Sequence, residues 1–266
     1  MDGGLRMNPS GPMKEARSFA WQQLAGKCED IQKVISSLGK EKFLPRASGY
    51  DEAAAFPFEN YRDMREAGIL AMTVPRSSGG LDIKYSDYAL LAAEMGRWCG
   101  ATALTYNMHA CTPLWVGHIT DDLELSVVDR EQHNKNRELH FSRIVNEGAV
   151  FAQPFSEGSA AAAGKAPFGT MAEKVDGGWV LNGKKIFASL SGAADYYGIL
   201  CTEQIGEPTL KETLFMAVPA EADGVSVSGP WDPVGMRATV SRTLILKDVY
   251  VADEQLLMPR GGYHQA

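Results

Sequence analysis

Along the first half of the chain the apolar positions recur at helical intervals. Phe19, Leu24, Ile31, Val34, Ile35 and Leu38 form one stripe, which predicts an amphipathic helix from about Lys14 to Lys40. Tyr61, Met64, Ile69 and Leu70 predict a second helix. Ser86 is placed to cap a third, which runs through Tyr88, Leu90, Leu91 and Met95 toward Gly100. A fourth covers roughly Ala101 to His118, and helical segments continue to Asn146. Between the second and third, Pro75-Arg76-Ser77-Ser78-Gly79-Gly80 breaks the pattern, because Pro and Gly interrupt helices.

After Gly148 the period shortens toward two. Thr170–Val175, the turn Asp176-Gly177-Gly178 and Trp179-Val180-Leu181 read as a hairpin. Asn182-Gly183 follows at once and signals another two-residue turn, leading into Lys184–Phe187. Further strands are expected at Tyr196–Thr202, Thr213–Val218, Val225–Ser228 and Val240–Val251. Helices first and strands afterwards predict an α+β chain: an all-helical N-terminal domain followed by an antiparallel β-sandwich or barrel-like domain. The expected divisions are a flexible tail at 1–14, a helical domain at 15–148, a β domain at 149–258 and the start of a linker at 259–266. Ala160–Ala163, flanked by Gly158 and Gly164, reads as a loop.

Composition narrows the function without naming it. The chain has 266 residues, enough to bury a real core, and its 45% hydrophobic and 22% charged residues are ordinary globular values. A net charge of −7 argues against nucleic acid or an anionic membrane as partner. The four cysteines, Cys28, Cys99, Cys111 and Cys201, lie far apart, which fits reduced thiols better than a disulfide framework or a zinc site. The histidines show no metal-ligand spacing. Residues 1–13 lack the apolar core of a signal peptide, and no run of about 18 apolar residues predicts a membrane span. The expected location is the cytoplasm.

No glycine-rich phosphate loop, nucleophile elbow or zinc-binding helix motif occurs. Chemistry enters through a resemblance. Residues 151–159 read Phe-Ala-Gln-Pro-Phe-Ser-Glu-Gly-Ser; after the Ala-rich loop come Thr170-Met171-Ala172, Leu181-Asn182-Gly183-Lys184-Lys185 and Phe187-Ala188-Ser189. This series resembles the flavin-binding middle domain of the acyl-CoA dehydrogenases. Gly235-Met236-Arg237-Ala238-Thr239-Val240-Ser241-Arg242 is similar to a later segment of that domain. Glu66-Ala67-Gly68-Ile69-Leu70, Val74-Pro75 with Gly79-Gly80, and Glu94-Met95-Gly96-Arg97 resemble the family's N-terminal domain.

The resemblance implies FAD, an acyl-CoA thioester substrate and α,β-dehydrogenation, in which a glutamate removes the α-proton while the β-hydride passes to flavin N5. It further implies an electron-transferring flavoprotein as electron acceptor and an oligomer, homomeric or heteromeric, when complete. Ser156 matches the position that bonds the flavin pyrimidine edge, Ser189 the one that reaches N5, and Phe187 the aromatic packed against the ring; Gln153 and Phe155 would also face the cofactor. Read alone, the serines are better explained as strand-end hydroxyls and Phe187 as core, and matching the family in register reverses that preference. His109 fits either the acyl side or a buried helical position satisfied by a carbonyl. No residue is assigned as catalytic base.

The sequence departs from the family pattern at Gly158, where Pro is usual, and in the Ala-rich loop, so phosphate and CoA contacts there are not carried over. The chain also ends where family members continue into a C-terminal helical bundle that supplies the glutamate. The expected function is therefore the front portion of an acyl-CoA dehydrogenase, inactive by itself. The competing readings are a non-catalytic flavin- or acyl-CoA-binding short subunit and a flavin monooxygenase on the same scaffold.

Overall fold

The computed structural model describes residues 27–265. The expected tail and the first part of the expected helix from Lys14 lie outside the described residues. Helix α1 (Lys27–Leu38) turns through one wide turn at Gly39–Phe43 straight into α2 (Leu44–Glu52). On α1, Ile35 is fully buried and Ile31 and Leu38 pack beside it, whereas Val34 turns outward. Burying one such side chain contributes about 1.5–3 kcal/mol, so Ile35, with Ile31 and Leu38 beside it, anchors the helix.

Helix α3 (Phe58–Glu66) buries Tyr61 and Met64 and stops at Gly68, whose left-handed backbone (φ 72°) separates it from a short 3-10 turn at Ile69–Ala71. The second expected helix is thus two pieces. Helix α4 (Tyr85–Trp98) begins two residues earlier than expected: Lys84 occupies the cap position without a side-chain bond, and Ser86 sits inside the first turn. Helix α5 (Gly100–Gly117) is buried along most of its length, and α6 (Val127–Ser142) is capped by Ser126, whose hydroxyl accepts from Asp129 N at 3.1 Å. The helical run ends at Glu147 with Gly148 at φ 66°. A side chain on Gly148 would strike the Arg65 guanidinium, which donates to the Gly148 carbonyl at 2.8 and 3.1 Å.

The second half forms an eight-stranded, mostly antiparallel sheet. Its strands are β1 (Phe151–Ala152), β2 (Met171–Val175), β3 (Gly178–Ala188), β4 (Tyr196–Glu203), β5 (Thr213–Pro219), β6 (Val225–Ser228), β7 (Arg242–Ala252) and β8 (Leu256–Met258). The order is β6-β7-β3-β2-β4-β5-β8, with β1 beside β4; only the short β1–β4 and β2–β4 contacts are parallel. A terminal turn, α7 (Gly262–Gln265), packs on β5. The Asp176-Gly177 hairpin forms as expected, but the Asn182-Gly183 turn does not. β3 runs straight through it. Opposite these residues β7 carries one extra residue, Asp248, at φ 52°, and Asn182 holds that bulge with its amide, accepting from Asp248 N at 2.9 Å. An Asn whose side chain can serve backbone groups suits a bulge as well as a turn.

Helices and sheet are joined by His109 of α5. Its ring is fully buried; Nε2–H donates to the Leu70 carbonyl at 2.9 Å, and Nδ1 accepts from Phe151 N at 3.1 Å. That pairing requires the neutral ring, and burial correspondingly pulls its pKa down to about 4. His109 is therefore the buried helical histidine satisfied by backbone, and it places β1 against α5. No helix among the described residues is long and apolar enough to cross a membrane.

Candidate functional site

Three segments meet at the end of β3. The first follows β1. Gln153 is buried, with its amide nitrogen donating to the Thr112 hydroxyl of α5 and its carbonyl oxygen packed against Gly198; a side chain on Gly198 would overlap that oxygen. Any ligand contact at Gln153 would therefore be made by backbone. The Phe155 ring stacks on Trp115 at 5.2 Å and 11° and lies near Phe215 and Tyr263, so it belongs to an aromatic cluster rather than to an open surface. Ser156 is half-buried, and its carbonyl accepts from Ile186 N at 2.8 Å, which lays this segment directly along the end of β3.

The second segment is that end of β3. Between Lys185 and Ala188 the strand holds one residue more than β7 opposite it, a β-bulge. Phe187 sits in this bulge at φ 53°, and the residue is 62% exposed. A left-handed Phe costs about 1–2 kcal/mol, and bulges re-aim side chains. Here the result is an aromatic ring turned outward, with Trp231 edge-on to it at 6.1 Å. Phe187 is not core.

The third segment is 236–241. Met236 (φ 60°) and Val240 (φ 43°) are both left-handed, an outlier conformation for a β-branched residue such as Val240. Arg237 ties this loop to the helical half, donating from its backbone N to Asp51 Oδ1 at 3.1 Å and from Nε to the Asp51 carbonyl at 2.7 Å. Leu190 N donates to the Thr239 carbonyl at 3.0 Å. Side by side, Ser189 Oγ lies 2.7 Å from Ser241 Oγ, which lies 2.6 Å from Thr239 Oγ1; Thr239 donates onward to the Met236 carbonyl at 3.0 Å. All three hydroxyls belong to buried residues, with Ser189 the least enclosed at 9%.

One ion pair binds the first two segments, and sequence reasoning missed it. Lys185, fully buried, donates to Glu157 Oε1 at 2.6 Å and to the Leu200 carbonyl at 2.5 Å. Glu157 also accepts from Gly169 N at 2.6 Å, Thr170 N at 2.9 Å and the Thr170 hydroxyl. Burial pushes the Glu157 carboxyl up, but the Lys185 charge and these donors outweigh it and hold the group below the usual carboxylate range; burial lowers Lys185, and Glu157 partly restores it. The pair flanks the predicted positions: Glu157 follows Ser156, and Lys185 precedes Phe187 by two residues. A signal was available, since a lysine at an inward strand position needs an acid nearby. Ser241, Thr239 and Trp231 were likewise not singled out.

A second feature opens between α4 and α5. A cavity of about 960 Å³ is lined by Tyr88, Ala89, Ala92, Cys111, Leu114 and Trp115, with Lys84 and His118 also on its wall. Burial pushes the Cys111 thiol up to about 11, so it is a neutral apolar wall group at neutral pH.

Two family models match this chain. The acyl-CoA dehydrogenase N-terminal domain matches residues 27–119, and the acyl-CoA dehydrogenase middle domain matches residues 155–249. Among curated relatives, YdbM of Bacillus subtilis (strain 168), whose name places it with the acyl-CoA dehydrogenases, is 31% identical over 228 residues, covering 84% of this chain and 56% of the relative. The chain thus spans little more than half the length of that relative. Among solved structures, butyryl-CoA dehydrogenase from Megasphaera elsdenii superposes with a TM-score of 0.73 at 21% identity, over 90% of this chain and 60% of that one. FMN-bound TdsC from Paenibacillus sp. A11-2 gives 0.71 at 22% identity, over 89% and 56%. At such identities the structures show the fold alone. The two domain models, matched in order along one chain, establish that this protein belongs to the acyl-CoA dehydrogenase family.

Proposed function

We propose that this chain is the flavin-facing and acyl-facing portion of an FAD-dependent acyl-CoA dehydrogenase. The observation that carries the reading is the rim where Ser156, Phe187 and Ser189 are brought close by the Ser156–Ile186 backbone bond and the Phe187 bulge. The groups suit a flavin: an outward aromatic face for the ring, and a buried hydroxyl chain with capacity for one more bond at Ser189. When bound, FAD supplies a two-electron acceptor for hydride. Ser156 would hold the pyrimidine edge, Ser189 would meet N5 and Phe187 would pack on the ring. The backbone of Gln153 and Phe155 would border the cofactor. Donors fixed in advance favour charge on the ring more than mobile water does. The α4–α5 cavity is large and apolar enough for an acyl chain.

The proton-removing carboxylate would come from outside this chain. Each deeply buried glutamate side chain among the described residues is already held. Glu94 accepts from Ser36 and Trp98, Glu157 from Lys185, and Glu203 pairs with Arg260 at 2.9 Å. An electron-transferring flavoprotein is the proposed acceptor and an oligomer the proposed complete form. The test is acyl-CoA oxidation with a dye acceptor after loading with FAD, compared with a form extended by the C-terminal domain of a full-length relative. The account expects the short chain to lie at least about 100-fold below the extended form, as loss of a general base demands. Equal turnover would contradict it. FAD binding without acyl-CoA binding would favour the short-subunit or monooxygenase alternatives.

A further inference from the structure

The hydroxyls of Ser189, Ser241 and Thr239 form an unbranched row with one proton each and a single carbonyl acceptor, Met236 O, at its inner end. The Met236 carbonyl also accepts from Thr239 N at 3.2 Å, so it does not depend on the Thr239 hydroxyl, and the row has two self-consistent settings. In one, Ser241 donates to Thr239 and Ser189 donates to Ser241, which leaves Ser189 with a lone pair facing outward. In the other, Thr239 turns its proton from Met236 O to Ser241, Ser241 turns its own toward Ser189, and Ser189 points its proton outward. Each setting uses every proton, and the two differ only by rotation of the three hydroxyls. Distances of 2.6 and 2.7 Å are ordinary for O–H···O bonds in either sense. The row is held rigidly. Val240 in its left-handed conformation lies between Thr239 and Ser241, Leu190 N fixes the Thr239 carbonyl, and Arg237 pins the loop to Asp51. Such backbone strain, kept in a well-anchored loop, commonly marks a functional arrangement.

We propose that Ser241 and Thr239 are positioning residues that let Ser189 reverse its hydrogen bond as the flavin changes redox state. The inference rests on the reading that Ser189 lies at N5. Oxidised flavin has no hydrogen on N5 and accepts a bond there, so Ser189 donates outward and accepts from Ser241, which accepts from Thr239. In flavin reduced by two electrons, whether by a substrate hydride or by dithionite, N5 carries a hydrogen and would act as a donor. Ser189 then accepts from it and turns its own proton to Ser241, Ser241 turns to Thr239, and Thr239 turns to the Met236 carbonyl. No bond to the protein forms or breaks, and no proton leaves the row. A lone serine would satisfy oxidised flavin but would be left with a buried, unmatched proton beside reduced flavin.

The experiment measures dissociation constants of oxidised FAD and of dithionite-reduced FAD under anaerobic conditions, up to millimolar cofactor, with thermal melting as the folding control. It uses the wild-type chain, Ser241→Ala, Ser241→Thr, Thr239→Val and Ser189→Ala. Ser241→Ala should weaken the reduced form about tenfold more than the oxidised form, the factor that accompanies one unmade buried hydrogen bond. Ser241→Thr, which keeps the hydroxyl, should restore the wild-type ratio. Thr239→Val should shift the ratio in the same direction by a smaller factor, which keeps the test alive should Ser241→Ala not fold. An oxidised-to-reduced ratio unchanged in both Ser241→Ala and Thr239→Val, with FAD still bound, would overturn the row while leaving the flavin site standing. Failure of the wild-type chain to bind either form would overturn the flavin site and the row with it.

Discussion

His109 and Ser189 are both buried polar side chains near the junction of helices and sheet, yet they are built differently. His109 has two ring nitrogens and two backbone partners, Leu70 O and Phe151 N, so nothing is left over. Ser189 ends a row of hydroxyls that can be completed in two ways, beside an exposed Phe187 whose backbone is strained. A fully satisfied polar group fixes architecture; an under-committed one at a strained rim is available to a ligand. Residue type alone would have reversed the ranking, since histidine is the commoner catalytic residue.

The contrast predicts large stability effects where polar groups are fully matched. Lys185→Met leaves the Glu157 carboxylate buried without its counter-ion and should cost about 3–5 kcal/mol in urea unfolding. Lys185→Met combined with Glu157→Leu should recover most of that loss while weakening FAD binding, because the pair also aligns the Ser156 and Phe187 segments. Full recovery of stability together with unchanged FAD affinity would show that the pair has no positioning role.

His109→Leu comes next. It leaves Leu70 O and Phe151 N unpaired and should cost about 2–6 kcal/mol, at about 1–3 kcal/mol for each buried group. A loss below about 1 kcal/mol would mean that the joint between α5 and β1 relaxes around the change.

Much of the fold was legible because it follows from periodicity. The change from helical spacing to alternation near Gly148 separates helices from strands, and Asp176-Gly177 marks a true hairpin. Asn182-Gly183 misled because the same chemistry that makes a turn also supports a bulge in the neighbouring strand, and only pairing with β7 decides between them. The candidate positions at Ser156, Phe187 and Ser189 came from motif resemblance rather than pattern. The outward ring of Phe187 depends on a left-handed φ that no property of Phe announces. Glu157–Lys185 and Ser189–Ser241 join residues 28 and 52 apart in sequence, so their pairing exists only in the folded chain.

pH sharpens the comparison on a smaller scale. Burial pulls His109 and His133 down to about 4 and His140 to about 3, all below the unfolded value near 6.5. The unfolded chain therefore takes up protons first as pH falls. Stability should be full above about pH 6.5 and decline from there toward about pH 4, by up to about 1.4 kcal/mol per pH unit for each histidine. The His109→Leu variant should show a slope shallower by one proton between pH 6 and pH 5, values set by the same ~6.5 and ~4 limits. An identical slope would place the proton uptake elsewhere. The smallest stability effect belongs to Ser189→Ala, at about 0.5–1.5 kcal/mol, with a clear loss of FAD affinity. The reverse pattern, a large stability loss and unchanged affinity, would make Ser189 architectural.

The most direct test of the rim as the flavin site is chemical-shift mapping of the isotopically labelled chain during titration with FAD. The account predicts that the amides perturbed most lie in 155–157, 186–190 and 236–241, with His109 and its neighbours little changed. Perturbations confined to α4 and α5, with those three segments silent, would contradict it.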